Sequence, residues 1–327
     1  MFPLKILLAC VTLFGAPALA AAQAVDTSYP SKPIRLVVPY APGGLTDSIG
    51  RLIAEGLSTE LKQPVVVENR PGAGTMIGAK TVAAAAPDGH TLLLATSTTL
   101  AAAPSLYKDH VDPVTGFTPI SLVVSNPFFL VTNATSGYQD VDDVVRNVVG
   151  QGEKGLSYGS AGLGSPHHLI MEMFREEAAI NLVHVPYSGS GTAINGLFDG
   201  SFNIMITDLA PARGFIQEGR MKVLAVADDK RSEFLPNAPA FAEAGYPNVS
   251  LVAWQSVVGP ANLPPVITAR LSKALHKVVR EPSFADRCEV LGCNAITSKS
   301  PEEFKEFIVS EQERWRKVLA TAGMKQR

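Results

Sequence analysis

The sequence predicts an α/β protein made of two lobes. Short apolar runs rich in β-branched residues alternate with stretches of helical periodicity, and this series occurs twice along the 327 residues. Continuous rather than alternating apolar strands, separated by helices, are typical of parallel sheets covered on both faces. A chain of this length buries a large core and usually divides into two units.

The first series begins with a strand at 34–38. A helix at 46–61 follows, with Ile49, Leu52, Ile53 and Leu57 on one face. Further strands are predicted at 65–68 and 91–95, with a small-residue helix at 72–86 between them.

The second series resembles the first. Its predicted strands are 155–158, 182–185, 202–206 and 223–226, its predicted helices are 166–177 and 192–198, and residues 264–324 are mainly helical. Crossings between lobes are expected near 122–131 and 226–229. We therefore assign 25–124 and 229–327 to a discontinuous lobe 1, and 125–228 to lobe 2.

Residues 1–24 are predicted to be a cleaved secretory signal peptide. Lys5 provides the positive start, 6–14 the apolar centre, and Ala18 and Ala20 a small-residue cleavage pattern. The apolar run is too short for a membrane span. Cys10 weakly resembles a lipoprotein signal, but it falls so early that cleavage between 20 and 24 is the better interpretation.

The composition of the chain argues against some classes of function. With 28 basic and 30 acidic side chains the formal charge is −2, and no basic run occurs, so nucleic acid is not an expected partner. Cys288 and Cys293 form a disulfide or remain thiols, because spacing alone does not decide between the two. No metal or other cofactor is predicted.

Three motifs look catalytic but have structural explanations. Ser157 stands in a G-x-S-x-G pattern, yet it lies inside a predicted strand and not on a strand-to-helix turn. The glycines of 72–78 are wrongly spaced for a dinucleotide loop. His167 and His168 are adjacent, so a helix directs them about 100° apart and they do not share one metal.

Three glycine-rich loops carry the positive signal. Each follows a strand and opens a helix, at 40–47, 160–166 and 187–191. Glycines let the backbone approach a ligand, and the free N–H groups of helix N-termini favour anions. Ligands of open α/β sheets bind beyond the carboxyl ends of strands. The three loops therefore predict one crevice that binds an anion.

Several of these segments resemble signatures of the Bug family, the periplasmic receptors of tripartite tricarboxylate transporters. The segments are 29–47 (YPSKPIRLVVPYAPGGLTD), 67–74 (VENRPGAG), 86–93 (APDGHTLL), 158–165 (YGSAGLGS) and 185–191 (VPYSGSG), in family order. The resemblance implies a type II periplasmic-binding-protein fold whose two lobes close on a small carboxylate. It implies a periplasmic location, a membrane permease as partner, no enzymatic activity, and a monomer.

The expected site follows from these loops and the family's carboxylate pincer. The predicted ligand-binding residues are Tyr40, Gly43, Gly44, Thr46, Asp47, Thr96, Ser97, Ser160, Ala161, Gly164, Ser165, His168, Tyr187, Ser190 and Asp208. Asp47 is expected to be a helix cap or water holder, and Asp208 either receives a ligand amine or caps a helix. A sensor that docks on a kinase and a serine hydrolase using Ser157 remain the alternative functions.

Overall fold

The structure is a computed structural model that describes residues 29–321, 324 and 326. The predicted signal peptide and Cys10 lie outside these residues. The strands are β1 (Ile34–Val38), β2 (Val65–Asn69), β3 (Thr91–Thr96), β4 (Phe117–Asn126), β5 (Phe129–Asn133), β6 (Leu156–Ser160), β7 (Leu182–Pro186), β8 (Ile204–Thr207), β9 (Met221–Val226), β10 (Ala253–Pro260) and β11 (Asn294–Ala295).

Ten α-helices accompany the strands in this part of the chain. They are α1 (Leu45–Leu61), α2 (Met76–Ala83), α3 (Ala103–Leu106), α4 (Val141–Gln151), α5 (Pro166–Glu177), α6 (Ser190–Asp199), α7 (Leu209–Gln217), α8 (Pro265–Arg280), α9 (Pro282–Leu291) and α10 (Pro301–Thr321). A π-helical turn at Thr98–Ala102 precedes α3. None of the described helices is long and apolar enough to cross a membrane.

The strands form two separate sheets. The first has the order β11-β4-β10-β3-β1-β2 and the second the order β7-β6-β8-β5-β9. We call the first sheet with its packed helices the first lobe, and the second sheet with its helices the second lobe. The chain passes from one to the other between β4 and β5 and returns between β9 and β10. The sequence-derived boundaries at 124/125 and 228/229 stay predictions.

The sheets are mixed, so the expectation of parallel strands is wrong in part. β1, β2 and β3 pair in parallel, as do β6, β7 and β8. However, β10 is antiparallel to β3 and β4, and β5 is antiparallel to β8 and β9. The reversed strands are those by which the chain enters each lobe. A direct crossing has no helix to restore the strand direction, so the entering strand runs the opposite way.

Local backbone geometry explains one shift of an element boundary. The small-residue helix α2 begins at Met76 and not at 72. Gly72, Gly74 and Thr75 have φ values of 119°, 57° and 79°, which are incompatible with a right-handed helix.

Cys288 and Cys293 are free thiols buried at the end of α9. The Cys293 thiol donates to the backbone carbonyl oxygen of Cys288 at 3.5 Å. Of the two open alternatives, the structure therefore contains the thiols and not the disulfide.

We expect both thiols to be unreactive in the folded protein. A hydrogen bond with Cys288 and burial raise the pKa of the Cys293 thiol, and only the thiolate attacks alkylating agents. Mass spectrometry of protein lacking residues 1–24 should find no iodoacetamide adduct under native conditions and two adducts after denaturation without reductant. Denatured protein that takes up no label until it is reduced would instead contain a disulfide.

Candidate binding site between the two lobes

A cleft lies where the carboxyl ends of five strands from both sheets face each other. The segments that follow β1, β3, β6, β7 and β8 border it, and four of them open α1, α5, α6 and α7. Gly44 and Gly189 hold the N-cap positions of α1 and α6 and have no side chain to satisfy the first-turn N–H groups. Helix N-termini carry partial positive charge, so the cleft favours an anion.

Eight of the fifteen predicted residues border this cleft. They are Tyr40, Gly44, Thr46, Thr96, Ser97, Ala161, Ser190 and Asp208. The prediction that the loops of both lobes converge on one crevice therefore agrees with the geometry.

Gly43 and Asp47 belong to the first loop but do not border the cleft. The Gly43 N–H donates to Asp47 Oδ2 at 3.1 Å, so this donor is already occupied. Asp47 also accepts from Arg51 and from Asn69 Nδ2 at 3.0 Å. Burial opposes ionisation of Asp47, but these hydrogen bonds outweigh it and hold the pKa of the carboxyl below its usual value. Asp47 therefore fastens the loop, and it does so as an anion at neutral pH.

Five predicted residues of the second lobe do not border the cleft itself, and they form two groups. Ser165 and Tyr187 border an adjoining hollow that also reaches Tyr40. Ser160, Gly164 and His168 support the loop from within. Gly164 N–H donates to His168 Nδ1 at 3.0 Å, and Ser160 Oγ lies 2.6 Å from His184 Nε2. The His168 and His184 rings stack with centroids 3.9 Å apart.

Eleven of the nineteen cleft residues were not predicted from the sequence, and five of these have large or amide side chains. These five are Asn126, Phe128, His167, Trp254 and Gln255. Asn126 and Gln255 are buried amides within the apolar strands β4 and β10. A buried polar residue in such a strand requires a partner, and that was the signal that could have found them.

The two walls of the cleft approach closely at three glycines. The Ala41 N–H donates to the Ser188 carbonyl across it at 3.2 Å. A Cβ placed on Gly44 would lie 3.1 Å from Ser190 Oγ, and one on Gly191 would lie 2.7 Å from the carbonyl carbon and oxygen of Gly43. These glycines permit the backbone of one lobe to contact the other.

Asp208 is the centre of a buried polar cluster. Its carboxylate accepts from Asn126 Nδ2 at 3.1 Å and from Ser190 Oγ at 2.7 Å, and it lies 3.2 Å from His167 Nε2. Asp208 occupies the N-cap position of α7, but its side chain makes no capping hydrogen bond. The proposed capping role of this side chain is therefore wrong, because the carboxylate serves the cleft instead.

Three buried polar atoms of cleft residues have no hydrogen-bond partner in the structure. They are Ser97 Oγ, His167 Nδ1 and Gln255 Oε1, and their residues are 0%, 5% and 3% exposed. An unsatisfied buried polar atom destabilises a fold by about 1–3 kcal/mol. The hydrogen bonds of three such atoms around one cleft would be completed by ordered water or by a polar ligand.

Few of the side chains that line the cleft are charged. Among the lining residues that the structure describes, Asp208 is the only acid and none is lysine or arginine. The Tyr40 hydroxyl donates to Thr98 Oγ1 at 3.1 Å, and burial raises its pKa to about 12, so it stays neutral. Neutral hydroxyls and helix ends therefore provide the donors for an anion.

Trp254 forms part of the cleft floor and is held from behind by α10. Its indole N–H donates to Glu311 Oε2 at 2.7 Å, and the indole of Trp315 donates to the same oxygen at 3.1 Å. Glu311 is buried, so both bonds are shielded from water. The Glu311 carboxylate therefore helps to orient Trp254, together with edge contacts to Phe304 and Phe307.

The remaining catalytic and metal motifs find no supporting geometry. Ser157 is the second residue of β6 and does not occupy a strand-to-helix turn, which a nucleophile elbow requires. Within the described residues, no group of three or more His, Cys, Asp or Glu side chains is arranged to hold a metal ion.

Two α/β lobes with a cleft at the strand ends define the class of periplasmic binding proteins. The solved structure of periplasmic binding protein BugD superposes with a TM-score of 0.87 at 32% identity, covering 91% of this chain and 100% of that one. R. palustris Rpa4515 with adipate gives 0.87 at 30% identity, covering 91% and 100%. MatC from Rhodopseudomonas palustris with bound malate gives 0.83 at 29% identity, covering 89% and 100%.

The sequence comparisons identify the family. The model of the tripartite tricarboxylate transporter family receptor, TctC, matches residues 49–324. Protein BugT of Bordetella pertussis is 34% identical over 328 residues, covering 98% of each chain. The chain belongs to the TctC family of receptors, and its resemblance to Bug proteins is confirmed.

Proposed function

We propose that this protein is a periplasmic solute-binding protein that captures a small carboxylate and delivers it to the permease subunits of a tripartite tricarboxylate-type transporter. The chain would be exported by the signal peptide at 1–24 and act as a monomer. It would bind the ligand without altering it. Membership in a receptor family supports this role.

The observation that carries the proposal is the set of unpartnered buried polar atoms around the cleft. Ser97 Oγ, His167 Nδ1 and Gln255 Oε1 surround a space into which the uncapped N-termini of α1 and α6 also open. Ser97 Oγ can donate to a carboxylate oxygen, whereas Gln255 Oε1 only accepts and requires a donor such as a ligand hydroxyl, an ammonium group or water.

The ligand class is narrowed by the relatives and by the charge of the site. Two relatives of similar fold have adipate and malate bound, which are dicarboxylates of six and four carbons. The cleft residues that we assign to the ligand are Tyr40, Gly44, Thr46, Thr96, Ser97, Ala161, Ser190 and Asp208, with His167, Trp254 and Gln255 added from the structure. Few of these side chains are charged, so neutral donors would supply most of the hydrogen bonds to the ligand.

Calorimetry with a panel of carboxylates tests the proposal. We expect malate, succinate, glutarate, adipate or aspartate to bind at about one ligand per chain, with a favourable enthalpy from charge-assisted hydrogen bonds. Mass spectrometry of small molecules released from protein purified without refolding would identify the natural ligand. Absence of binding across the panel, together with ligand-free purified protein, would contradict a carboxylate receptor.

A further inference from the structure

His167 presents its two ring nitrogens to different surroundings. It lies in the first turn of α5 and is 5% exposed. Nε2 lies 3.2 Å from Asp208 Oδ2, whereas Nδ1 is buried without a partner. The rings of Phe128 and His167 pack edge to face, with centroids 4.9 Å apart. The contact between Nε2 and Asp208 therefore leaves Nδ1 as the ring nitrogen without a hydrogen-bond partner.

The hydrogen positions follow from the partners. An ionised carboxylate only accepts hydrogen bonds, so Nε2 carries a hydrogen where it meets Asp208. In a neutral imidazole the other nitrogen, Nδ1, is then an acceptor. A ligand carboxylate is also an acceptor, and two acceptors at this position repel each other. A second proton on the ring turns Nδ1 into a donor and removes the conflict.

We propose that His167 is a further ligand-binding residue, and that it takes up one proton when a carboxylate binds, so that its imidazolium bridges Asp208 and the ligand. This inference rests on the proposed function, since it requires a carboxylate in the cleft. The proton comes from the surrounding buffer. It also solves an electrostatic problem, because the described cleft contains the Asp208 carboxylate and no lysine or arginine.

The groups around the His167–Asp208 pair do not compete for this role. Asn126 and Ser190 are neutral donors to Asp208. The Tyr40 hydroxyl and the Cys293 thiol, which sense the charge of Asp208, have pKa values raised by burial and, for Cys293, first by the hydrogen bond with Cys288. Both therefore stay neutral at physiological pH.

Two arginines of the neighbouring helices are already paired. On α5 itself, Arg175 pairs with Glu172 at 2.9 Å. On α10, which packs on α5, Arg314 pairs with Glu311 at 3.2 Å. His168 is engaged with Gly164 and stacks on His184.

Calorimetry in buffers of different ionisation enthalpy measures the proton directly. At pH 7.5, where an ordinary histidine with a pKa of about 6.5 is mostly neutral, malate or adipate should bind with uptake of about one proton. The affinity should fall by up to about tenfold for each pH unit between 7 and 8.5. Simple dicarboxylates remain ionised throughout this range, so the ligand does not cause the slope.

Two variants assign the proton to a residue. His167→Gln should reduce the uptake to near zero and flatten the pH profile, whereas His276→Gln on α8, outside the cleft, should keep both. Long-range ¹H–¹⁵N spectra of histidine-labelled protein should show one ring becoming doubly protonated when malate is added, and this signal should be missing in His167→Gln.

The outcomes separate the two proposals. Binding without proton uptake, or uptake that persists in His167→Gln, would overturn the role of His167 and leave the carboxylate receptor intact. Failure of every dicarboxylate to bind the wild-type protein would overturn both.

Discussion

Gly191→Ala should reduce the affinity for a carboxylate by about a hundredfold or more, the largest loss of binding that we expect from a single methyl group. The added Cβ would lie 2.7 Å from the carbonyl carbon and oxygen of Gly43 and 3.0 Å from the Gly44 nitrogen. These are backbone atoms of the opposite lobe, so the lobes must move apart. Losing one or two charge-assisted hydrogen bonds weakens binding by about 3 kcal/mol.

Titration calorimetry, solution scattering and thermal unfolding together check this prediction. Gly191 lies in α6, where alanine is the better helix former, so the variant should fold as well as the wild type. Its scattering curve with saturating malate should remain more expanded. Gly44→Val in the first lobe places a Cβ 3.1 Å from Ser190 Oγ, so it should also weaken carboxylate binding. Gly214→Ala in α7 is the matched control, because a Cβ there meets nothing within 4 Å.

A folded Gly191→Ala protein that binds carboxylate as tightly as the wild type would show that the ligand does not require the close approach of these loops. The cleft between α1 and α6 would then not be the ligand site.

Glu311→Ala should lower the free energy of unfolding by about 3 kcal/mol, because it leaves two buried indole N–H groups without an acceptor. Trp254 and Trp315 are 3% and 0% exposed, and both donate to Glu311 Oε2. Glu311→Gln keeps an acceptor oxygen and should lose less. Because Trp254 borders the cleft, the alanine variant should also bind the ligand more weakly.

Urea denaturation followed by tryptophan fluorescence measures this effect, since the chain has only these two tryptophans. Glu313→Ala is the control on the same helix. Glu313 is half exposed and pairs with Arg316 at the surface, where ion pairs contribute little. Equal unfolding free energies for the Glu311 and Glu313 variants would show that the indole hydrogen bonds do not stabilise the fold.

The sequence predicts the repeating elements of this fold well. β1 lies at 34–38 and α5 at 166–177, as expected, because continuous apolar strands and strong amphipathic periodicity are local signals. It does not predict the reversed direction of β5 and β10. Strand direction in a sheet depends on how the chain crosses between lobes, which no local pattern records.

The sequence predicts only part of the binding site, because long-range packing decides which of the candidate residues reach the cleft. The three glycine loops that follow strands contain Gly44, Ala161 and Ser190, which border the cleft in the structure. The choice of His168 over His167 shows the limit of this reasoning. Neighbouring residues of a helix point about 100° apart, so only the packing of α5 decides which histidine faces Asp208.

A crystal structure with a bound dicarboxylate would locate the ligand site. We expect one molecule of malate or adipate between the N-termini of α1 and α6, with a carboxylate oxygen within hydrogen-bond distance of Ser97 Oγ or His167 Nδ1, two buried atoms without a hydrogen-bond partner in the ligand-free protein. A dicarboxylate bound elsewhere on the chain, with these atoms contacting only water, would contradict this expectation.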